Sequence, residues 1–370
     1  MNEIYYSDAL SWNGRKFAAK DSAALPSKER SSGELVRKPY EAQPDGSVLL
    51  SLYYPKAREV AVRAETAGAE LRLVNGYWTG CFFPGDGFQP VTVLVDGSEV
   101  LSPFLPIGYG CCRPINFLDL STGQDWLTVQ DVPHGAVLQE LIPSRFTGTT
   151  ERARVYLPPQ YFTEPERKFP VLYLQHGFGE NETVWTEQGR MNLILDNLIA
   201  VGKAEPMVVV TPSDMLVEET ATGAQIRHSE FDVFLLTDLM PFIEGRYRVC
   251  TDSAHRAIAG LSMGSIETSI TAMMHPELFS AVGVFSGFVR DVLETTERHT
   301  QSEVLKRFAD IDRLYFRAIG DEDPYLSHFL GDDKLLEENG ITGIRKIYHG
   351  KHEWNVWREC LYDFSQLIFK

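Results

Sequence analysis

The sequence predicts an α/β protein in which a domain built on a mostly parallel sheet follows a small all-β sandwich. Three observations carry this. Between residues 41 and 120, short strand-like runs recur with hairpin signals between them. From residue 132 onward, apolar runs of about five residues alternate with helical stretches. Turns rich in glycine, serine and acidic residues fall at the ends of those later runs.

At 370 residues the chain is long for one domain and suits two. The net charge of −16, with no sustained basic patch, excludes nucleic acid and anionic membrane as partners. The opening run Met1-Asn2-Glu3-Ile4-Tyr5-Tyr6-Ser7-Asp8 lacks a basic region followed by an apolar core, so it does not read as a secretory signal. No apolar run reaches the length of a membrane span. The five cysteines are odd in number and form no C-x-x-C, which predicts free thiols and a cytoplasmic location.

Taken in order, residues 1–40 read as an N-terminal arm, 41–120 as the sandwich, and 121–370 as the α/β domain, with a linker at 121–131. Strands are expected at 47–54, 59–64, 69–74, 77–83 and 90–95. Asn75-Gly76 and Asp96-Gly97 are two-residue hairpin turns, because both pairs tolerate positive φ. Tyr54-Pro55-Lys56-Ala57-Arg58-Glu59-Val60, Asn75-Gly76-Tyr77-Trp78 and Val95-Asp96-Gly97 resemble the immunoglobulin-like domain of glycogen-branching and related enzymes. Tyr53, Trp78 and Phe82 have the chemistry to stack on a sugar, but aromatics on short strands more often fill a core. The stretch 102–131, broken by Pro103, Pro106, Gly108, Gly110 and Pro114, reads as the connection between the two parts.

In the second part, strands are expected at 153–157, 169–174, 207–210, 257–261, 281–285, 314–318 and 344–348. Helices are expected at 192–201, 231–244 (despite Pro241) and 266–274. Catalytic groups in such a sheet belong at the carboxyl ends of its strands. There, Gly260-Leu261-Ser262-Met263-Gly264 has the Gly-x-Ser-x-Gly pattern of a nucleophile elbow between strand and helix. The strand ending at Leu174 leads into Gln175-His176-Gly177-Phe178-Gly179-Glu180, where the Phe178 N–H joins the Met263 N–H as an oxyanion donor. His176 reads as packing beneath that loop. After Ala318 comes Ile319-Gly320-Asp321-Glu322-Asp323, with Asp323 the chosen acid and Asp321 the runner-up. After Tyr348 comes His349-Gly350-Lys351-His352, with His352 the chosen base and His349 structural. The order Ser, Asp, His is that of α/β-hydrolases. Serine is a poor nucleophile until imidazole takes its proton, and the carboxylate fixes the tautomer. The histidines show no metal-ligand spacing, and no metal or cofactor is implied.

Residues 132–369 resemble the carbohydrate esterase family of feruloyl, acetylxylan and esterase D-like enzymes. The matching residues are Val132-Pro133-His134-Gly135, Val155-Tyr156-Leu157-Pro158-Pro159, His176-Gly177-Phe178-Gly179, the elbow, and Gly350-Lys351-His352-Glu353-Trp354, with Trp357 and Leu361. The run Trp185-Thr186-Glu187-Gln188-Gly189-Arg190-Met191-Asn192 is similar to the subgroup with an immunoglobulin-like domain in front. The resemblance implies Ser262, Asp323 and His352 as nucleophile, acid and base. One departure is Ser265, where a second glycine is usual. Gly177, Glu180, Trp185 and His228 are the candidate substrate contacts. The insertion 214–229 is a candidate pocket wall. The implied substrate is a small-molecule ester, an acyl group on a sugar or oligosaccharide, and a second copy of the chain is the other candidate partner. A siderophore-lactone esterase is the alternative within the fold. A non-catalytic carbohydrate-binding protein is the alternative of another class.

Overall fold

The computed structural model describes residues 38–120, 123–220, 223–289 and 301–370; most of the expected arm lies outside them. The chain divides into two compact units, residues 1–109 with 113–125, and residues 110–112 with 126–370.

The first unit is a small β-sandwich. One sheet runs Tyr40–Ala42, Val48–Leu52, Tyr77–Phe82, Arg72–Val74; the other runs Gly68–Glu70, Val60–Arg63, Gly87–Val95, Arg113–Leu120, Ile107–Gly110. Alternate residues turn inward, so Val48, Leu50 and Leu52 share a core with Val60, Val62 and Val93. Both hairpin turns form. Asn75 and Gly76 have φ of 53° and 84°, Asp96 and Gly97 have 51° and 79°, and Val74 pairs Tyr77 as Val95 pairs Ser98. Trp78 and Phe82 are buried, and the Trp78 indole N–H donates to the Tyr54 carbonyl at 3.0 Å. They are core residues, not a sugar platform. Two expectations change. The run 69–74 is not one strand: it splits around buried Leu71 into Gly68–Glu70 and Arg72–Val74, which join different sheets. Much of the supposed connection at 102–131 is sandwich, because Ile107–Gly110 and Arg113–Leu120 form strands there. Its prolines sit before or at strand starts, where a missing N–H is tolerated.

The second unit has an α/β-hydrolase core. Its main sheet comprises β1 (Ala136–Pro143), β2 (Thr150–Leu157), β3 (Val171–Gln175), β4 (Val208–Pro212), β5 (Arg256–Leu261), β6 (Ala281–Phe285), β7 (Leu314–Gly320) and β8 (Ile344–Tyr348). The spatial order is β1-β2-β4-β3-β5-β6-β7-β8. β1, β2 and β4 pair antiparallel, and every pair from β4 through β8 is parallel. β3 through β6 are buried along their whole length, which is why they read as continuous apolar runs. β1 escapes sequence reading because Gln139 and Glu140 interrupt it on an edge. The helix expected at 231–244 spans Phe231–Arg246, with a π-helical turn over Leu235–Leu239. Pro241 has no N–H and crowds the carbonyl four residues back, so the turn before it widens. The insertion 214–229 contains a hairpin, Val217–Thr220 against Gly223–Ile226. Its helices include α1 (Met191–Ala200), α2 (Met263–Met274), α3 (Leu326–Glu338) and α4 (Trp354–Ser365). Among the described residues no helix is long and apolar enough to cross a membrane.

Candidate active site

β5 ends at Leu261 and α2 begins at Met263, leaving Ser262 alone on the turn. Its φ of 50° and ψ of −118° are unfavourable for a residue with a Cβ. The turn is possible only because its neighbours are bare. A Cβ on Gly260 would lie 2.2 Å from the Gly264 carbonyl oxygen, and one on Gly264 would lie 2.3 Å from that of His176. The Ser262 N–H donates to Phe285 O at 3.0 Å, which ties the turn to β6.

The turn after β7 carries Asp323 and the loop after β8 carries His352. His352 Nε2 lies 2.9 Å from Ser262 Oγ, and His352 Nδ1 lies 2.8 Å from Asp323 Oδ2. The other Asp323 oxygen accepts the Tyr325 N–H at 2.9 Å. Burial works against the charge on Asp323, but His352, the Tyr325 N–H and the Ser286 hydroxyl more than offset it. The carboxyl is held below the usual carboxylate range. Tyr325 and Trp357 pack edge-on against the imidazole at 5.2 and 5.1 Å. Asp321 is elsewhere: it accepts the Gly350 N–H at 2.9 Å and faces His349 at 3.2 Å.

The loop after β3 approaches from the other side. A Cβ on Gly177 would lie 3.4 Å from Ser262 Cβ. Among the described residues, neither the Phe178 nor the Met263 N–H donates to a protein acceptor. Beneath the loop His176 is fully buried. Its N–H donates to Asp214 Oδ2 at 2.8 Å, and its Nδ1 lies 3.0 Å from Asp214 Oδ1. Burial opposes a charge on His176, but Asp214 raises its pKa above the ordinary value. Glu267, on α2, is buried against Asp214; burial and that neighbour push its pKa far above the ordinary value.

The expected substrate contacts scatter. Gly177 is in the loop beside Ser262. Glu180 spends both oxygens internally, on the Gly177 N–H (2.9 Å) and the Trp354 indole N–H (3.0 Å). Trp185 requires correction. It is fully buried, donates to Gln175 O at 2.9 Å and packs on Trp354 and Phe285, so it is core rather than substrate surface. His228 starts a short helix, His228–Glu230, and its side chain lies outside the described residues. Another serine–carboxylate contact, Ser144 Oγ to Asp238 Oδ2 at 2.8 Å, has no imidazole among its described partners. It receives the Phe146 and Thr147 N–H groups and ties down the β1–β2 turn.

Residues 144–318 match the family described as putative esterase. The chain is 32% identical over 308 residues to an endo-1,4-beta-xylanase/feruloyl esterase of Xylanibacter ruminicola, covering 80% of this chain and 40% of that protein. The chain thus spans about two-fifths of that relative's length. A solved ferulic acid esterase superposes with a TM-score of 0.54 at 26% identity, over 64% of this chain and 99% of its own. The enterobactin esterase FES of Shigella flexneri shares the fold over 88% of this chain and 95% of its own, with a TM-score of 0.60 at 14% identity. The second unit therefore carries a serine-esterase domain homologous to the feruloyl and acetylxylan esterases, and it follows an antiparallel β domain consistent with an immunoglobulin-like sandwich.

Proposed function

We propose that the chain hydrolyses acyl esters of sugars or oligosaccharides, feruloyl or acetyl groups among them, with Ser262 as nucleophile, His352 as base and Asp323 as its orienting acid. The observation that carries this reading is the hydrogen-bonded line Ser262–His352–Asp323, assembled from three separate strand ends. His352 Nε2 takes the hydroxyl proton as Ser262 Oγ attacks the ester carbonyl. The Phe178 and Met263 N–H groups receive the oxyanion, each supplying roughly 2.7–4 kcal/mol of transition-state stabilisation. The imidazolium gives its proton to the leaving alcohol, and water then releases the acid by the same steps in reverse order. The acyl preference is inferred from the relatives named above.

Replacing Ser262 by Ala abolishes hydrolysis of a model aryl ester while far-UV circular dichroism stays unchanged; retained turnover would overturn the reading. A panel of methyl ferulate, an acetylated xylo-oligosaccharide and enterobactin assigns the ester. Preference for enterobactin would move the assignment to the siderophore alternative.

A further inference from the structure

We infer that Glu180 is a positioning residue whose ionised carboxylate fastens the oxyanion loop to the histidine loop, making turnover sensitive to its protonation. This rests on the proposed roles of Phe178 and His352. Glu180 sits where the two loops meet. One oxygen accepts the N–H of Gly177, the residue before the Phe178 donor. The other accepts the indole N–H of Trp354, two residues after His352. Trp354 packs edge-on on Trp357 at 5.3 Å, and Trp357 on the His352 ring at 5.1 Å. A single carboxylate therefore braces both sides of the reacting centre.

Only the ionised form serves both donors fully. Protonation turns one oxygen into a donor facing an N–H, and that contact is lost. Burial, with a smaller push from Asp214, outweighs the pull of His176, the Gly177 N–H and the Trp354 N–H and leaves the Glu180 pKa raised to about 7. These are also the charged groups around it: His176 and Asp214 from the ends of β3 and β4. The bracing is thus present above about pH 7 and is lost as pH falls through that value. Because the loop acts on the transition state rather than on ground-state binding, its loss lowers kcat and leaves KM nearly unchanged.

The test is the ratio of wild-type to Glu180→Gln kcat on an aryl ester across pH. Glutamine mimics the protonated carboxyl. The expected ratio is about tenfold near pH 9 and approaches one near pH 5. Trp354→Phe, which removes the N–H and keeps a ring, should give a similar loss. Combined with Glu180→Gln it should add little, since both break one contact. A ratio flat with pH, or additive losses, would overturn the inference. If Glu180→Gln does not fold, Trp354→Phe decides alone: an unchanged kcat overturns the inference. Ser262→Ala separates the two ideas. If that variant is inactive while the ratio is flat, only the role of Glu180 falls.

Discussion

Two histidine–aspartate pairs stand within the hydrolase unit's site, and in only one of the two does the imidazole reach the Ser262 hydroxyl. In His176–Asp214 both side chains have 0% exposure, and the ring lies under the loop with its nitrogens turned to Asp214 and to backbone. In His352–Asp323 the carboxylate is equally buried at 0%, but the imidazole is 22% exposed and its far nitrogen meets Ser262. The chemistry is the same in both pairs; access differs. A buried pair spends its hydrogen bonds holding backbone in place, whereas a pair with one open end can pass a proton. A third pair, His349–Asp321, marks the opposite limit: at 84% and 47% exposure it faces solvent, and it staples the two loops from outside.

The largest expected effect breaks this ranking at the acid. Asp323→Asn leaves His352 in the wrong tautomer and should lower kcat by roughly 10³–10⁴. Asp321→Asn, on the solvent side, should change it less than about twofold, as solvated pairs contribute little. Equal losses, measured on one aryl ester at one pH, would mean that the two pairs share the role.

The buried pair should fail differently. Asp214→Ala removes the acceptor of the His176 backbone N–H and leaves the buried imidazole without its carboxylate partner, at a cost of about 3 kcal/mol. Urea unfolding reads this directly. The surviving folded fraction should lose far less kcat than Asp323→Asn; a catalytic loss of the same order with no change in the urea midpoint would reverse the comparison.

Much of this was legible in the sequence, because the hydrolase order of Ser, Asp and His is imposed by strand ends that carry their own apolar signal. The serine was legible because Gly260 and Gly264 admit no alternative to a bare backbone. The choice between Asp321 and Asp323 was not, since two acids two residues apart on one turn differ only in which way the loop directs them. Trp185 misled because it lies on the single-turn helix Val184–Glu187, too short for a periodic pattern to show which face is buried. Glu180 was singled out as a candidate substrate contact on the loop after Leu174, but its partner Trp354 is 174 residues away, and no local pattern announces such a contact.

The smallest effect concerns the departure at Ser265. Its hydroxyl donates to the Ser262 carbonyl, and its N–H donates to the same oxygen at 3.0 Å, so the side chain reinforces the first turn of α2. Room for it comes from Gly287, where a Cβ would lie 1.8 Å from Ser265 Oγ. The serine is therefore part of a fitted pair rather than a tolerated substitution. Ser265→Gly removes one hydrogen bond and adds backbone freedom within a helix, at a combined cost of about 1–2 kcal/mol. It touches neither the His352 bond nor the two free N–H groups, so kcat should stay within about twofold, as expected when no transition-state contact is removed. Gly287→Ala supplies the converse: its new methyl must displace the Ser265 hydroxyl, and restoring stability with Ser265→Gly in the double variant would show that the two positions are matched. Additive losses in that cycle would show that Ser265 and Gly287 act independently, and that the elbow depends on Gly260 and Gly264 alone.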